Sequence, residues 1–303
     1  MLTPSFMPKF QSVTVIIVNY NTAKYITGCI DSLFKQRGVE LQVIVVDNAS
    51  HDNSVVLLQQ RYAERIHLIQ SSENLGFGRA NNLAATHATG DFLLLLNPDA
   101  LLTDSEAIIE LIAFMTQSQG YGMVGPAIYE PRKHKVVKPR MSYPLQKQLK
   151  ATYKLNGLPG SIAWLLGACL LTKTSIYRQI DGFDPDFFLY GEDVDICLRI
   201  RLAGYALGYA DDVRIEHVAG ASEVGAVSYE KWLRKKRGYY LFCKKHYARE
   251  DILRIVKTVV RGIKTNLFFL RLAGRLKLKK ESVIKERTDR LMATLTAANE
   301  LIE

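Results

Sequence analysis

From residue 12 to residue 100 the chain alternates between short apolar runs and longer segments with helical spacing. The apolar runs are SVTVIIVNY (12–20), LQVIVVDNAS (41–50), IHLIQ (66–70) and DFLLLLNPDA (91–100). Between them lie residues 24–37, with Ile26, Ile30, Leu33 and Phe34 at helical spacing, then 53–65, then the small-residue stretch GRANNLAATHAT (78–89). Such alternation predicts a parallel sheet with helices on both faces. The leucine run leaves no polar face, so its strand must be covered on both sides. It stops at Asn97-Pro98-Asp99, where the proline has no N–H with which to extend a ladder.

Three of the runs end in polar residues: Asn19, Tyr20 and Asn21; Asp47 and Asn48; Asn97 and Asp99. In open α/β sheets a ligand sits outside the carboxyl ends of the strands, so the three endings predict the walls of one site. Taken singly, each reads better as a turn or cap residue; their convergence is the signal. No G-x-G-x-x-G follows the first run, and there is no P-loop. In NLGFGRANN (74–82), Gly76 and Gly78 would let backbone approach a phosphate beside the Arg79 cation. The same residues also suit a plain glycine turn into a capped helix.

A carboxylate fixed just past a buried strand offers an oxygen ligand to Mg2+ or Mn2+ beside substrate phosphates, and Asp99 is so placed. His217, in IEHVAG, offers a nitrogen that Mn2+ accepts better than Mg2+, although a lone histidine is more often structural.

Residues 104–118 read as a helix, GMVGPAIY as a strand, and 130–160, basic and rich in Pro and Gly, as an irregular loop region. In FLYGEDVDICLRIRLAG (188–204), Glu192, Asp193 and Asp195 stand in a first helical turn, where acids complement the helix dipole. The apolar lead-in FDPDFFLYG makes that turn pocket-forming, which suits a general base. Adjacent helical residues point about 100° apart, so Glu192 and Asp193 cannot share one role. Asp193 is assigned as base and Glu192 as a supporting contact; spacing alone does not choose between them.

The net charge of +10 is unevenly spread. Residues 228–303 hold 20 Lys/Arg against 8 Asp/Glu, while 1–227 hold 20 against 22. All of the positive excess therefore lies in the last quarter, as in a tail that meets something anionic. Over 250–278, Ile252, Ile255, Val256, Val259, Val260, Ile263, Leu267 and Leu270 share one helical face, opposite Arg254, Lys257, Arg261, Lys264, Arg271 and Arg275. A basic amphipathic helix of this kind can lie on an anionic membrane surface. It can equally cover the rest of the chain, or a homodimer interface, with a solvated outer face. The cations follow an apolar stripe without any recognised nucleic-acid fold, so no nucleic-acid partner is expected. The four cysteines are scattered and no run has a membrane span's length, which predicts reduced thiols in a cytoplasmic chain, peripheral at the inner membrane face.

Taken in order, VIIVNYN, VVDNASHDNS, NLGFGRANN, LLLLNPDA, WLLGACLLTK and IDGFDPDFFLYGEDVDICLRIRLAGY, followed by RIEHVAGAS, resemble glycosyltransferase family 2, its rhamnosyltransferase-like branch in particular. The resemblance implies an α/β GT-A fold: a Rossmann-like mixed sheet flanked by helices, here with a C-terminal basic helical extension. Residues 1–115 would form the nucleotide-sugar half, 116–227 the acceptor and catalytic half, and 228–303 the tail. Asn19, Tyr20, Asn21, Asp47 and Asn48 would hold base and ribose, and Asn74, Gly76, Arg79, Asn82 and Asn97 the sugar-nucleotide side. Asp99 would be the metal-binding acid of a D-x-D motif and His217 its later partner, with Mg2+ or Mn2+ as cofactor. Trp164, Leu166 and Gly167 would meet the acceptor. The first acid of D-x-D is Asn97 here, which removes one negative charge from the expected metal site.

The implied activity is inverting transfer of rhamnose or a hexose from a nucleoside-diphosphate sugar to a hydroxyl of a lipid-linked or polysaccharide acceptor, in bacterial cell-surface glycan synthesis. dTDP-rhamnose is the first candidate donor and a UDP-hexose the second. A sugar-phosphate nucleotidyltransferase would need a basic glycine-rich loop where VNYNTAKY stands. A non-catalytic nucleotide-sugar-binding or scaffold protein would bind nucleotide without turnover, and Asp193→Asn would then change nothing.

Overall fold

A computed structural model describes residues 10–118, 120–149, 155–218, 228–276, 278 and 280–301. The four apolar runs form strands β1 (Gln11–Asn19), β2 (Val39–Asp47), β3 (His67–Gln70) and β4 (Phe92–Leu96). Helices α1 (Ala23–Leu33), α2 (Ser54–Tyr62) and α3 (Phe77–Ala85) join them. All three pairings among these strands are parallel, as the alternation predicted.

Side chains alternate across a strand, so each strand feeds two cores. Leu93 and Leu95 face one core with Ile16, Val18, Ile44 and the alanines of α3. Leu94 and Leu96 face the other, with Val15, Ile17, Ile26, Ile30 and Leu58. The whole of β4 is buried, which is why its sequence shows no polar face.

Beyond β4 the sheet becomes mixed. The later elements are β5 (Ala100–Leu102), α4 (Ala107–Thr116), β6 (Tyr121–Glu130), β7 (Lys135–Val137), β8 (Cys169–Lys173), α5 (Thr174–Gln179), α6 (Glu192–Leu202) and β9 (Ala206–His217). Among the described residues the order is β3-β2-β1-β4-β8-β6-β9-β5, with β7 on β6. β8 runs antiparallel to both β4 and β6, and β9 lies parallel to β6.

One link shapes this sheet. β5 follows β4 after only Asn97, Pro98 and Asp99, yet pairs at the far edge with β9. Four strand spacings of about 4.8 Å would part β4 from β5 in a flat sheet, more than the roughly 14 Å that four extended residues span. The sheet must therefore curl until its β9–β5 edge returns to the end of β4. Curling carries His217 to Asp99.

Among its described residues, the expected loop region 130–160 is irregular apart from β7, two short 3-10 turns and a bridge from Arg140 to Trp164. Arg201 of α6 holds it: its guanidinium donates to Tyr143 Oη at 2.9 Å, Pro159 O at 3.0 Å and Gly160 O at 2.8 Å.

The basic tail forms α7 (Ser228–His246), α8 (Arg249–Arg275) and α9 (Glu281–Glu300). It is no loose appendage. Tyr240, Phe242 and Cys243 of α7, Ile255 and Val256 of α8, and Ala293 and Ala297 of α9 belong to the same core as β4. The apolar stripe predicted over 250–278 is thus a packing face along its length, with Ile252, Ile255, Val256, Ile263 and Leu270 buried. Phe268, Phe269, Leu272 and Leu276, which lie outside that stripe, are exposed.

Candidate active site

The carboxyl end of β1 meets that of β2 in register, Asn19 opposite Asp47. Both are buried, so their polar atoms need partners. Asn19 Nδ2 donates to Asp47 Oδ1 at 2.7 Å and to Ser54 Oγ at 2.8 Å, and Asp47 Oδ2 accepts from Ser50 N at 3.0 Å. Asn21, at φ 53°, donates its N–H to Ser50 Oγ and accepts from His51 N through Oδ1 at 2.7 Å. Asn and a left-handed backbone go together, because a short polar side chain tolerates αL. These bonds lock the two strand ends into one polar rim, with Tyr20 partly exposed between Asn19 and Asn21.

Asn48 binds the next loop instead of facing outward. Its Nδ2 donates to Asn74 Oδ1 at 2.9 Å and Gly76 O at 3.2 Å, while its Oδ1 accepts from Leu75 N. Gly76 has φ 79°, and a Cβ there would collide with the Phe188 carbonyl. The glycine therefore permits both the turn into α3 and the close approach of residues 187–188, whose O accepts from Phe77 N at 2.9 Å. Arg79 and Asn82 extend the same seam. Arg79 Nε donates to Pro185 O at 2.7 Å. Asn82 accepts from Tyr177 Oη and Phe183 N and donates to Phe183 O. In this structure Asn48, Asn74 and Asn82 bind loops together, a role that no local sequence pattern marks.

At the end of β4, Asn97 N donates to Ala168 O at 3.0 Å, which joins the Asn97–Asp99 turn to residues 166–168. Asp99 Oδ1 lies 3.2 Å from His217 Nε2, and both side chains are buried. Asn97 Nδ2 lies 3.2 Å from the same His217 nitrogen. Asp99 O accepts from Val218 N, so backbone as well as side chains close the corner.

The two acids of α6 stand on the other side of the 166–168 turn. Tyr190 and Gly191 have φ 69° and 90°, two left-handed steps that swing the chain abruptly into α6. Asp193 Oδ2 accepts from Gly167 N at 3.4 Å, and Oδ1 accepts from Val194 N at 2.9 Å. Burial pushes both carboxyls above the ordinary range, and Glu192 is raised further by the neighbouring Asp193 charge. Glu192 Oε2 is buried without a hydrogen-bond partner among the described residues. Two like charges so close cannot both be held cheaply, so the pair favours one proton between them. That separates a proton acceptor from a neutral neighbour.

Trp164 is largely buried, its Nε1 donating to Ser142 O at 3.2 Å, whereas Leu166 and Gly167 are partly exposed beside Asp193. The third acid of the turn, Asp195, serves packing. It accepts from Arg199 Nε at 2.7 Å and lies 2.7 Å from His246 Nε2 of α7. The sequence reading missed the part of α7. The one available signal was Gly238, an isolated glycine within a helical pattern, which often marks a close packing contact.

The family model for Glycosyl transferase family 2 matches residues 14–181. An N-acetylglucosaminyl-diphospho-decaprenol L-rhamnosyltransferase of Mycobacterium tuberculosis is 26% identical over 238 residues, covering 67% of this chain and 75% of its own length. Rhamnosyltransferase WbbL of Escherichia coli is 26% identical over 228 residues, covering 68% of this chain and 83% of its own. Among solved structures, mannosyltransferase PcManGT from Pyrobaculum calidifontis, in complex with GDP-Man and Mn2+, superposes with a TM-score of 0.61 at 19% identity, over 96% of this chain and 86% of that one. S. aureus TarS 1–349 in complex with UDP-GlcNAc gives a TM-score of 0.56 at 16% identity, over 96% and 91%. These likenesses establish the GT-A fold. The chain belongs to glycosyl transferase family 2, in its rhamnosyltransferase-like branch.

Proposed function

We propose that this family-2 glycosyltransferase moves rhamnose from dTDP-rhamnose to a hydroxyl of a lipid-linked or polysaccharide acceptor, with inversion at the anomeric carbon. The observation that carries the reading is the corner where Asp99 and His217 meet, reached from the same sheet end as Asn19 and Asp47 and joined through residues 166–168 to Asp193. The rhamnosyltransferase relatives favour the donor, with a UDP-hexose as the second candidate.

The residues at the corner fit a divalent cation. For octahedral Mg2+, with bonds of about 2.1 Å, neighbouring ligand atoms lie roughly 3 Å apart, close to the 3.2 Å between Asp99 Oδ1 and His217 Nε2. An oxygen and an imidazole nitrogen suit Mn2+ as well. No group of three or more His, Cys, Asp or Glu gathers among the described residues, so a cation here would complete its shell with diphosphate oxygens and water. Bound there, Mn2+ or Mg2+ would stabilise the charge that develops on the departing diphosphate.

In this reading the rim of Asn19, Asn21 and Asp47 holds base and ribose. Asp193 takes the proton of the acceptor hydroxyl, whose oxygen attacks the anomeric carbon opposite the departing diphosphate. Attack from that side inverts the configuration. Leu166 and Gly167, partly exposed beside Asp193, support an acceptor position there.

The membrane is the proposed platform. No helix among the described residues is long and apolar enough to cross a bilayer. The exposed Phe268, Phe269, Leu272 and Leu276 lie among Lys264, Arg271 and Arg275, which supports shallow contact with an anionic surface.

The test is a transfer assay with dTDP-rhamnose, Mn2+ and a synthetic N-acetylglucosaminyl-diphosphoryl lipid. NMR of the product should show the anomeric configuration opposite to the donor's. A retained configuration would rule out single displacement.

A further inference from the structure

The family match ends at residue 181, and α7 lies wholly beyond it. Yet α7 is docked on the turn that carries the two acids. A Cβ on Gly191 would sit 2.6 Å from Gly238 O, and a Cβ on Gly238 would collide with the Tyr190 carbonyl. No side chain fits between these backbones, so the two glycines fix how close α7 comes. A second fastening lies two turns on, where His246 meets Asp195 at 2.7 Å.

This docking decides which α7 side chains face the acids. Residues three or four apart on a helix share a face. Lys235 and Tyr239 are such a pair, on either side of Gly238's contact. Lys235 Nζ lies 5.7 Å from the centroid of the Tyr190 ring, directly ahead of the acids. Tyr239 is partly buried.

We propose that α7 forms one wall of the reaction centre, with Lys235 and Tyr239 as positioning residues that keep Asp193 and Glu192 in two separate roles. The inference rests on the reading of Asp193 as base. Lys235 lends positive charge beside Asp193, and Tyr239 closes the space over both carboxyls.

Charges at the site agree. Burial pushes Asp193 up; the Val194 and Gly167 N–H groups oppose it most, and the Lys235 charge lowers it further. Tyr239 is raised by burial first, then by the Asp193 and Glu192 charges, with Arg140 opposing them. Glu192 is raised by burial first, then by Asp193 and less by Asp195, both on α6. Cys197, also on α6, is held neutral by burial and the nearby acids. Lys235 is thus a cation of α7 whose charge reaches Asp193.

The test uses the full chain labelled at aspartate side-chain carboxyl carbons, with the Asp193 signal assigned through Asp193→Asn. Asp193 should titrate above ordinary aspartates. In Lys235→Met its midpoint should rise by about half a pH unit or more, and in Lys235→Arg it should stay at the wild-type value. Tyr239→Phe should move the Asp193 signal while the melting temperature holds. If Lys235→Met fails to fold, Lys235→Gln takes its place. An unchanged midpoint in the folded variant overturns the inference. Activity retained in Asp193→Asn would instead overturn the base assignment, and would leave the Lys235 titration result standing.

Discussion

Asp99 Oδ1 and His217 Nε2 lie 3.2 Å apart, although one ends the turn after β4 and the other is the last residue of β9. They meet because β5 pairs with β9 while remaining tied to β4 by three residues. The corner is therefore a product of sheet curvature. It carries one acid where a D-x-D motif would carry two, because Asn97 presents an amide to the same histidine nitrogen.

Asn97→Asp should tighten metal binding. A second carboxylate adds charge and an oxygen ligand at the corner. In a Mn2+ titration with dTDP present, followed by thermal shift, the variant should reach half its stabilisation at a Mn2+ concentration several-fold lower than wild type. An unchanged or higher concentration would show that position 97 does not reach the cation.

Asp193→Asn should lower kcat by about 10²- to 10⁴-fold, the usual contribution of a positioned base, with donor KM little changed. The acid limb of the wild-type rate profile should lie above the ordinary carboxylate range, since burial raises Asp193. Near-wild-type turnover in Asp193→Asn would overturn the assignment of Asp193 as base, whereas no transfer by wild type itself would favour the non-catalytic reading.

Glu192→Gln should stabilise the fold at neutral and alkaline pH. Burial raises the folded-state value of Glu192 above its unfolded one. Between those two values the folded chain binds more protons, so stability falls as pH rises through that window. Below the ordinary glutamate value the carboxyl is neutral in both states and the benefit should vanish. Melting curves of the two proteins across pH should diverge as pH rises; parallel curves would mean that Glu192 ionises without cost.

The parallel strands and helices of the first hundred residues were legible in the sequence because each is specified locally, by periodicity and turn residues. So were the polar strand ends. The mixed half was harder to see: no local pattern marks β8 as inserted antiparallel between β4 and β6, since Cys169–Lys173 is simply apolar. Asn48 and Asn82 look like ligand groups in sequence, and only their distant partners, Asn74 and Phe183, show that they bind loops together. The α7 contribution was hidden for the same reason. Its signal is the mutual fit of Gly191 and Gly238, which lie far apart in the chain.

Replacing both Phe268 and Phe269 with Asp should reduce flotation with anionic liposomes. These rings are exposed and pack on each other at 5.6 Å between centroids, outside the core. Removing residues 228–303 would be a poor control, because it would strip Tyr240 and Phe242 from the interior. The double substitution should leave the melting temperature within a few degrees, and equal flotation would remove the membrane assignment.

The most direct test of the central claim is calorimetric titration of dTDP, UDP and GDP into the full chain, with and without Mn2+, and into Asp99→Ala. dTDP should bind most tightly, Mn2+ should strengthen its binding, and Asp99→Ala should abolish the metal's effect. Nucleotide binding indifferent both to Mn2+ and to Asp99→Ala would contradict the central claim.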